Sequence, residues 1–402
     1  MTSNLPSPDF QAVASAAELD DGMAETPQAP LAAAVTVAVP APDDEDSLGK
    51  VANANLALEP PKAHSVLHIR RIKNEFEMRL WINGHSCQPI LMPPQTHTVT
   101  DKGKGVDGIH HASSLADFSE EVGVVLARLV ACLAGDTVPW LCIDELGWTG
   151  IPWELVPLPD DQPLGIAFNI WRRHTPLVDQ AGDYPVGTWD SRAVKGTVAR
   201  YCAHDVRSTW LADLTGAEPD SFAQLKQALR DGVAGTALVY LYCHFHPMPS
   251  VRYSILGVRK DVAHQVDGLL LSSKQLRLLK DDHPVVFLNG CETAKAPGAD
   301  PYIPGSVAEF PTIFLKRGAI GVIGTLEPVQ RVLAAAIGKR IVELARTGPP
   351  RTIPELLREL RLEVHTKYAD ADLTIPGATA DHYFHAFLYV YLGAPFAYLE
   401  LV

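Results

Sequence analysis

The sequence lacks several features that mark common classes of protein. It has no run of about 18 consecutive apolar residues, the length that a membrane-spanning helix needs. It has no basic segment followed by an apolar stretch near its start, so no secretory signal is expected. It also has no Gly-x-x-x-x-Gly-Lys phosphate loop and no TPR or WD repeat. These absences predict a cytoplasmic protein without a membrane or nucleotide partner.

The cysteines lack the spacing of a metal or redox site. Six cysteines are scattered along the chain and none forms a Cys-x-x-Cys pair, which argues against the usual zinc site and against a dithiol motif. In a reducing cytoplasm they are expected to be free thiols, most of them buried and inert. We therefore predict no metal and no cofactor, and a functional cysteine has to be found from its surroundings.

Basic residues are fewer than acidic ones, with 34 Lys and Arg against 47 Asp and Glu and a formal net charge of −13. This balance argues against nucleic acid as a direct partner. Much of the negative charge lies at the start, where the first sixty residues hold ten acidic side chains and one basic residue, Lys50. The segment is rich in Ala and Pro and cannot bury enough apolar surface to offset its ordering entropy. It predicts a disordered acidic tail over 1–62.

Beyond this tail, the apolar pattern predicts an α/β protein. Two short β-like runs between 66 and 82 precede Asn83-Gly84, a strong hairpin signal. Apolar residues at three- and four-residue steps predict a helix over 114–133. Further strands are predicted at 140–143, 197–203, 237–243, 284–288 and 319–325, and further helices near 222–229, 306–317, 328–345 and 354–364, with Pro328 at the first helical position of its helix. Continuous apolar strands separated by helices are typical of a mostly parallel sheet covered by helices on both faces.

A polar stretch that carries Gly and Pro, residues 181–195, predicts a linker between two halves. We expect an N-terminal half over 65–190 and a C-terminal half over 195–402.

Reactive side chains follow two of the predicted strands in the C-terminal half. One strand ends at Cys243-His244, and another ends at Asn289-Gly290-Cys291. Ligands and chemistry in such sheets lie outside the carboxyl ends of the strands, so neighbouring parallel strands would bring His244 and Cys291 into one crevice. The His lies roughly 50 residues before the Cys, as in caspases. An imidazole beside a thiol favours the nucleophilic thiolate, so this pair is the candidate catalytic dyad.

Two other chemistries are weaker matches to the same residues. His244 and His246 would share one face of a strand, beside Cys243, but no third and fourth ligands with suitable spacing follow, so a metal site is not predicted. Residues 291–298 contain no Arg and form no phosphate cradle, which argues against a thiol phosphatase. Cys243 is expected to face the core.

Over about 66–402 the chain resembles the CHAT family, bacterial relatives of caspases and separase. The resemblance is carried by Ile-Pro-Trp-Glu-Leu at 151–155, the strand ending in Cys243-His244, Leu-Asn-Gly-Cys-Glu-Thr-Ala at 288–294, Gly-Ala-Ile-Gly-Val-Ile-Gly-Thr-Leu at 318–326 and Phe-Leu-Tyr-Val-Tyr-Leu-Gly at 387–393. It implies a caspase-like fold in which a smaller non-catalytic half, 65–190, precedes the catalytic half, 195–402. It also implies that His244 and Cys291 are the catalytic residues.

Two positions depart from the family pattern. The family usually has Gly directly after the catalytic His, where a backbone N–H helps to form the oxyanion hole, and this chain has Phe245. The backbone donor is retained, so the N–H groups of Phe245 and Cys291 are the expected oxyanion donors. The family's usual Trp after the strand at 319–325 is replaced by Glu327. With Asp205, Glu327 is a candidate for binding a basic P1 residue of a substrate.

The resemblance implies a cysteine endopeptidase of a bacterial regulated-proteolysis, defence or cell-death pathway, which cuts a specific partner protein. A separate sensor or activator protein is expected, because no repeat is visible in this chain. The alternative is a catalytically impaired pseudo-protease that acts as a protein-interaction module, and Phe245 is the feature that favours it.

Overall fold

The structure is a computed structural model of the chain. It describes residues 64–72, 75–82, 85–92, 119–120, 122–133, 137–146, 151–173, 192–203, 209–210, 214, 221–232, 234–246, 255–257, 265–267, 276–291, 293–294, 310–373 and 377–402. All of them belong to one unit that spans Ala54–Val402. The predicted tail at 1–62 and the candidate residue Asp205 lie outside the described residues.

The described strands are β1 (His64–Ile72), β2 (Glu75–Ile82), β3 (His85–Ser86), β4 (Ile90–Met92), β5 (Trp140–Leu146), β6 (Asn169–Arg173), β7 (Arg192–Cys202), β8 (Thr236–Tyr242), β9 (Phe245–His246), β10 (Ile255–Gly257), β11 (Gln265–Asp267), β12 (Val285–Asn289), β13 (Gly321–Thr325), β14 (Arg351–Thr352), β15 (Tyr389–Gly393) and β16 (Ala397–Leu401). The described helices are α1 (Gly123–Val130), α2 (Leu164–Ala167), α3 (Phe222–Asp231), α4 (Arg277–Asp282), α5 (Phe310–Lys316), α6 (Arg331–Arg346), α7 (Ile353–Lys367) and α8 (Ala378–Leu388). Short 3-10 turns lie at Ala131–Leu133 and Trp153–Leu155.

Thirteen strands form one sheet in the order β14-β16-β7-β8-β12-β13-β15-β6-β5-β1-β2-β3, with β4 also paired to β2, and β9, β10 and β11 form a small second sheet. The pairs β16–β7, β7–β8, β8–β12, β12–β13, β15–β6, β6–β5 and β5–β1 are parallel, which makes the large sheet mostly parallel. Strands β8 and β12 are buried along their whole length, which explains their continuous apolar sequence.

The direction of the strands reverses in the middle of the sheet. Strand β15 runs antiparallel to β13 and parallel to β6, which in turn is parallel to β5. The carboxyl ends of β5 and β6 therefore lie at the opposite edge of the sheet from those of β8 and β12. His244 and Cys291 therefore lie on the same side of the sheet, at the carboxyl ends of β8 and β12.

Helices cover both faces of the sheet, as predicted. Tyr201 of β7 is the register partner of Leu241 and shares its face, whereas Tyr240 lies on the other face. Phe222 of α3 packs against Tyr201, with ring centroids 4.7 Å apart. Helix α6 lies against the other face, because a Cβ added to Gly338 would be 2.5 Å from the Tyr240 hydroxyl.

Several predicted elements are confirmed, and others differ at their ends. The predicted strands at 140–143, 237–243, 284–288 and 319–325 are β5, β8, β12 and β13. Ile82 pairs with His85, which confirms the hairpin around Asn83-Gly84. Strand β7 begins at Arg192, inside the predicted linker and earlier than Thr197. None of the helices in the described part of the chain is both long and apolar enough to cross a bilayer.

The prediction that Pro328 begins a helix was wrong. Helix α6 begins at Arg331, and its N-cap Gln330 has an extended backbone, with φ −64° and ψ 134°. Tertiary contacts explain the difference: Val329 is buried, its carbonyl accepts a hydrogen bond from Cys291, and the Gln330 N–H donates to a side chain of α8. These contacts hold the segment out of the helix that its sequence favours.

Candidate active site

The two candidate catalytic residues follow adjacent strands. Each lies the same number of residues after the last paired residue of its strand. Strands β8 and β12 are parallel, and Tyr242 is the register partner of Asn289. His244 lies two residues beyond Tyr242, and Cys291 lies two residues beyond Asn289. Neighbouring strands lie about 4.8 Å apart, so this register brings the two strand ends side by side, with His244 and Cys291 at equivalent positions beyond them.

Gly290 permits the close approach of the two strand ends. A Cβ at this position would lie 2.2 Å from the carbonyl oxygen of Cys243, a backbone atom that a side-chain rotation cannot move away. The Cys243 N–H donates to the Asn289 carbonyl at 3.4 Å. Glycine is therefore required at position 290 by the close packing of the two strand ends, rather than by an unusual φ.

Two threonines hold the backbone around Cys291. The Thr293 hydroxyl donates to the Leu288 carbonyl at 2.8 Å and accepts the Thr325 N–H at 3.0 Å. The Thr325 hydroxyl donates to the Gly290 carbonyl. Both threonines are buried, at 3% and 0% exposure. These bonds tie the turn that carries the cysteine to the end of β13, so three neighbouring strands fix the position of Cys291.

The Cys291 side chain is half-buried, and its thiol donates to the carbonyl of Val329 at 3.6 Å. His244 is also half-buried. Val329 belongs to the segment between β13 and α6 and is itself buried. The structure thus brings a thiol, an imidazole and a main-chain acceptor to one edge of the sheet.

A buried network of neutral groups lies next to the strand ends. The Asn289 amide donates to the Tyr240 hydroxyl at 2.6 Å and to the Ala334 carbonyl of α6 at 2.9 Å, and it accepts from the Tyr389 hydroxyl at 2.7 Å. Burial raises the pKa of both tyrosines well above its usual value, so both stay protonated. The network joins β8, β12, β15 and α6 without placing a fixed charge beside the thiol.

Phe245 occupies an ordinary backbone conformation. It lies in β9, where it pairs with Leu256 of β10, and its φ is negative. Its half-buried ring packs edge-on against Phe310 of α5, with centroids 6.0 Å apart. The side chain therefore has its own contact, and glycine is not needed at this position for conformational reasons.

The other residues considered in the sequence analysis are Glu327, Cys243 and the ligands of a metal site. Glu327 follows β13 and is buried, at 4% exposure, two residues before the carbonyl that contacts Cys291. Cys243 is buried in the core, as expected. Within the described ranges, no group of three or more His, Cys, Asp or Glu residues could hold a metal ion.

Several residues around the site were not identified from the sequence. These are Asn289, Thr293, Thr325, Val329, Gln330 and His385. The threonines had a usable signal, because polar residues at or near the carboxyl ends of buried strands often organise a site. Gln330 and His385 carried no such signal, because they are 55 residues apart and meet only in the folded chain.

Comparison with known proteins gives one family match. Residues 203–388 match the model of the CHAT domain. No curated protein matches the chain.

Among solved structures, the chain is similar to the Saccharomyces cerevisiae separase in its complex with securin, with 12% identity and a TM-score of 0.40, over 67% of this chain and 16% of that one. It is also similar to Porphyromonas gingivalis RgpB in the complex of its pro- and mature domains, with 12% identity and a TM-score of 0.44, over 71% of each chain. A third similar structure is the Arg-specific cysteine proteinase gingipain R, with 10% identity and a TM-score of 0.43, over 70% of this chain and 68% of that one.

The family match includes both strand ends described above, with His244 and Cys291 inside its limits. The resemblance seen in the sequence is thereby confirmed over residues 203–388, the part of this α/β chain that matches the CHAT domain model.

Proposed function

We propose that the protein is a cysteine endopeptidase in which Cys291 is the nucleophile and His244 is the general base. The observation that carries the proposal is the register of β8 and β12, in which Gly290 lets the two strand ends approach and sets His244 and Cys291 at equivalent positions. The CHAT match over both residues supports the same assignment.

The reaction follows from these roles. The Cys291 sulfur attacks the scissile carbonyl carbon while His244 takes the thiol proton. The N–H groups of Cys291 and Phe245 stabilise the resulting oxyanion. When the C–N bond breaks, His244 gives its proton to the leaving amine and a thioester remains. Water, deprotonated by His244, attacks the thioester, and the released thiolate recovers the proton.

The test of the nucleophile uses a matched pair of cysteine substitutions. Cys291→Ala abolishes cleavage while costing only about 1–2 kcal/mol of stability, since the thiol is small. Cys202→Ala is the control, because Cys202 is also half-buried but is the last residue of β7, which does not neighbour β12 in the sheet. Undiminished proteolysis by purified Cys291→Ala protein would refute the mechanism.

The substrate is a specific partner protein with Arg or Lys at P1. Glu327 is the carboxylate nearest in sequence to the Val329 carbonyl that Cys291 contacts, and its burial strengthens any pairing with a basic side chain. Asp205 is the second candidate for this role. A cleavage profile from a peptide library, for the parent and for Glu327→Gln and Asp205→Asn, measures the preference. An acidic or aliphatic P1 preference in the parent would exclude this specificity.

The resemblance to the CHAT family places this activity in a bacterial regulated-proteolysis, defence or cell-death pathway. On that basis the protein acts in the cytoplasm and is activated by a separate sensor protein. Pull-down of the Cys291→Ala protein identifies both partners by mass spectrometry, because an inactive protease retains its substrate.

Phe245 favours a second candidate function, that of a pseudo-protease that binds protein partners. Phe245 directly follows the candidate base, and its half-buried ring packs against the buried ring of Phe310. The exposed part of the Phe245 ring gives a protein partner an apolar contact at this position. A peptide-based covalent thiol probe separates the two functions: a working dyad is labelled selectively at Cys291, whereas a pseudo-protease is labelled no faster there than at its other cysteines.

A further inference from the structure

The carbonyl that accepts the Cys291 thiol is held by contacts from outside the strand ends. Val329 is followed by Gln330, the N-cap of α6. The Gln330 N–H donates to the imidazole Nε2 of His385 at 3.2 Å, and the Gln330 side-chain amide donates to an Asp381 carboxylate oxygen at 2.8 Å. We call Gln330, Asp381 and His385 the clasp. It ties the segment before α6 to helix α8.

The contacts of His385 fix its protonation state. Its Nδ1 lies 2.5 Å from the Asp381 carbonyl oxygen, which can only accept, so Nδ1 carries the proton. Its Nε2 faces the Gln330 N–H, which can only donate, so Nε2 offers a lone pair. The side chain is 1% exposed. Burial lowers the pKa of His385, and the interactions with Asp381 only partly oppose this, so the neutral imidazole persists.

We infer that His385 is a positioning residue for Cys291: through Gln330 it holds the Val329 carbonyl against the thiol and keeps the sulfur in its protonated resting form. The inference rests on the proposed function, in which Cys291 is the nucleophile. A carbonyl oxygen stabilises an S–H group by accepting a hydrogen bond from it, but the negative end of the carbonyl dipole faces a thiolate unfavourably. The clasp therefore raises the free energy of the thiolate, and displacement of the Val329 carbonyl lowers it.

Other titratable groups lie on the elements that neighbour Cys291. They are the same in the parent protein and in every clasp variant compared below. His244 follows β8, Glu327 follows β13, and Tyr389 begins β15. Tyr389 is near enough for Cys291 to contribute to the raised pKa of its hydroxyl. Differences between variants of the clasp therefore report the Val329 contact rather than these groups.

The experiment measures the rate of Cys291 alkylation by iodoacetamide against pH in the folded protein, with the modified peptide quantified by mass spectrometry. His385→Leu removes the acceptor for the Gln330 N–H. His385→Gln keeps an acceptor near the position of Nε2. His382→Leu is the matched control, because His382 is a buried histidine on the same helix that contacts Tyr368 instead of Gln330.

The expected result is an alkylation midpoint that moves down by about one pH unit in His385→Leu, with about tenfold faster alkylation below the midpoint, because the thiolate is the reacting species. His385→Gln and His382→Leu keep the parent profile. An unchanged profile in His385→Leu would overturn the inference, and so would an equal shift in His382→Leu, which would indicate general loosening of α8.

A second pair of variants covers the case in which His385→Leu does not fold. Gln330 has φ −64°, a value that proline adopts without strain, so Gln330→Pro removes the N–H without changing that angle. Gln330→Ala keeps the N–H and loses only the side-chain amide. Gln330→Pro is expected to lower the midpoint further than Gln330→Ala, and equal profiles would overturn the inference.

The alkylation measurement tests the clasp, and the cleavage measurement tests the proposed peptidase, so either hypothesis can be refuted without the other. A shifted alkylation profile without cleavage by any variant would refute the proposed peptidase while the clasp stands. Cleavage that depends on Cys291, with alkylation profiles that do not respond to either pair of clasp variants, would refute the clasp alone.

Discussion

The β5–β6 region and the β8–β12 region belong to one sheet, but they satisfy their buried polar groups by different means. In β6, Arg172 makes a bidentate ion pair with Glu154, with Nε–Oε1 and Nη2–Oε2 distances of 3.0 and 2.5 Å, and also donates to the Ile151 carbonyl. Both charged side chains are 1% exposed. Next to β8 and β12, the corresponding buried groups are the neutral amide of Asn289 and two tyrosine hydroxyls.

The difference indicates what each region does. A buried ion pair is stable only while both partners are present, so it suits a part of the fold that does not change. A neutral network places no fixed charge near the site. It therefore neither attracts nor repels strongly the charges that form when a thiol loses its proton and an imidazole gains one. The Glu154 motif at 151–155, which helps to carry the family resemblance, thus has an architectural role, whereas the strand ends at 244 and 291 carry the candidate dyad.

The largest expected effect comes from breaking the buried ion pair. Glu154→Gln removes the negative charge that pairs with Arg172 and that also opposes the effect of burial on Arg361, whose pKa is lowered to about 10. We expect a loss of about 3–5 kcal/mol in the free energy of unfolding, measured by urea denaturation. The double variant Glu154→Leu with Arg172→Met is expected to recover part of this loss. A loss below about 1 kcal/mol in the single variant would contradict the architectural role.

The next prediction concerns the strand ends. Gly290→Ala places a methyl group against the Cys243 carbonyl, so β8 and β12 must separate at the level of the dyad. We expect kcat/KM for peptide cleavage to fall by about 100-fold or more, because small displacements of reacting groups cost that much. Gly123→Ala is the control, since a Cβ there has no neighbour within 4 Å. Equal activity of the two variants would show that the approach of the strand ends is not needed.

The two regions also differ in how far the sequence could predict them. The placement of the candidate dyad was predictable because β8 and β12 are each a continuous apolar run closely followed by a reactive residue, and parallel neighbours bring such ends together. The Glu154–Arg172 pair was not predicted, although its motif was recognised, because the partner of a buried carboxylate depends on the fold. The clasp was also missed, because Gln330 and His385 meet only through the antiparallel packing of β15 against β13.

A smaller effect is expected from pH, through a buried histidine outside both regions. Burial, followed by the positive charge of Lys367 and the nearby His385, lowers the pKa of His382 to about 4 from its ordinary 6.5. Because the folded-state pKa is the lower one, the stabilisation is complete above pH 6.5 and is lost as pH falls from 6.5 to about 4. We expect a loss of about 2–3 kcal/mol over this window.

Urea denaturation at pH 7 and pH 4.5 measures this dependence. His382→Gln cannot titrate, so its stability is expected to fall less than that of the parent between the two pH values. A parallel fall in both proteins would assign the pH dependence to other groups.

The smallest expected effect comes from an exposed ion pair that serves as the counterpart of Glu154–Arg172. Lys195 of β7 and Glu400 of β16 are register partners, and their Nζ and Oε1 atoms are 2.5 Å apart. The side chains are 60% and 38% exposed, so water already solvates both charges and screens their attraction. Lys195→Met is expected to change the free energy of unfolding by less than about 1 kcal/mol, and the change is expected to shrink further in 1 M salt. Since the two pairs have the same shortest N–O distance, the contrast between Lys195→Met and Glu154→Gln isolates burial as the cause of the difference. Equal losses in the two variants, measured in the same buffer, would show that proximity rather than burial sets the strength of the ion pairs in this sheet.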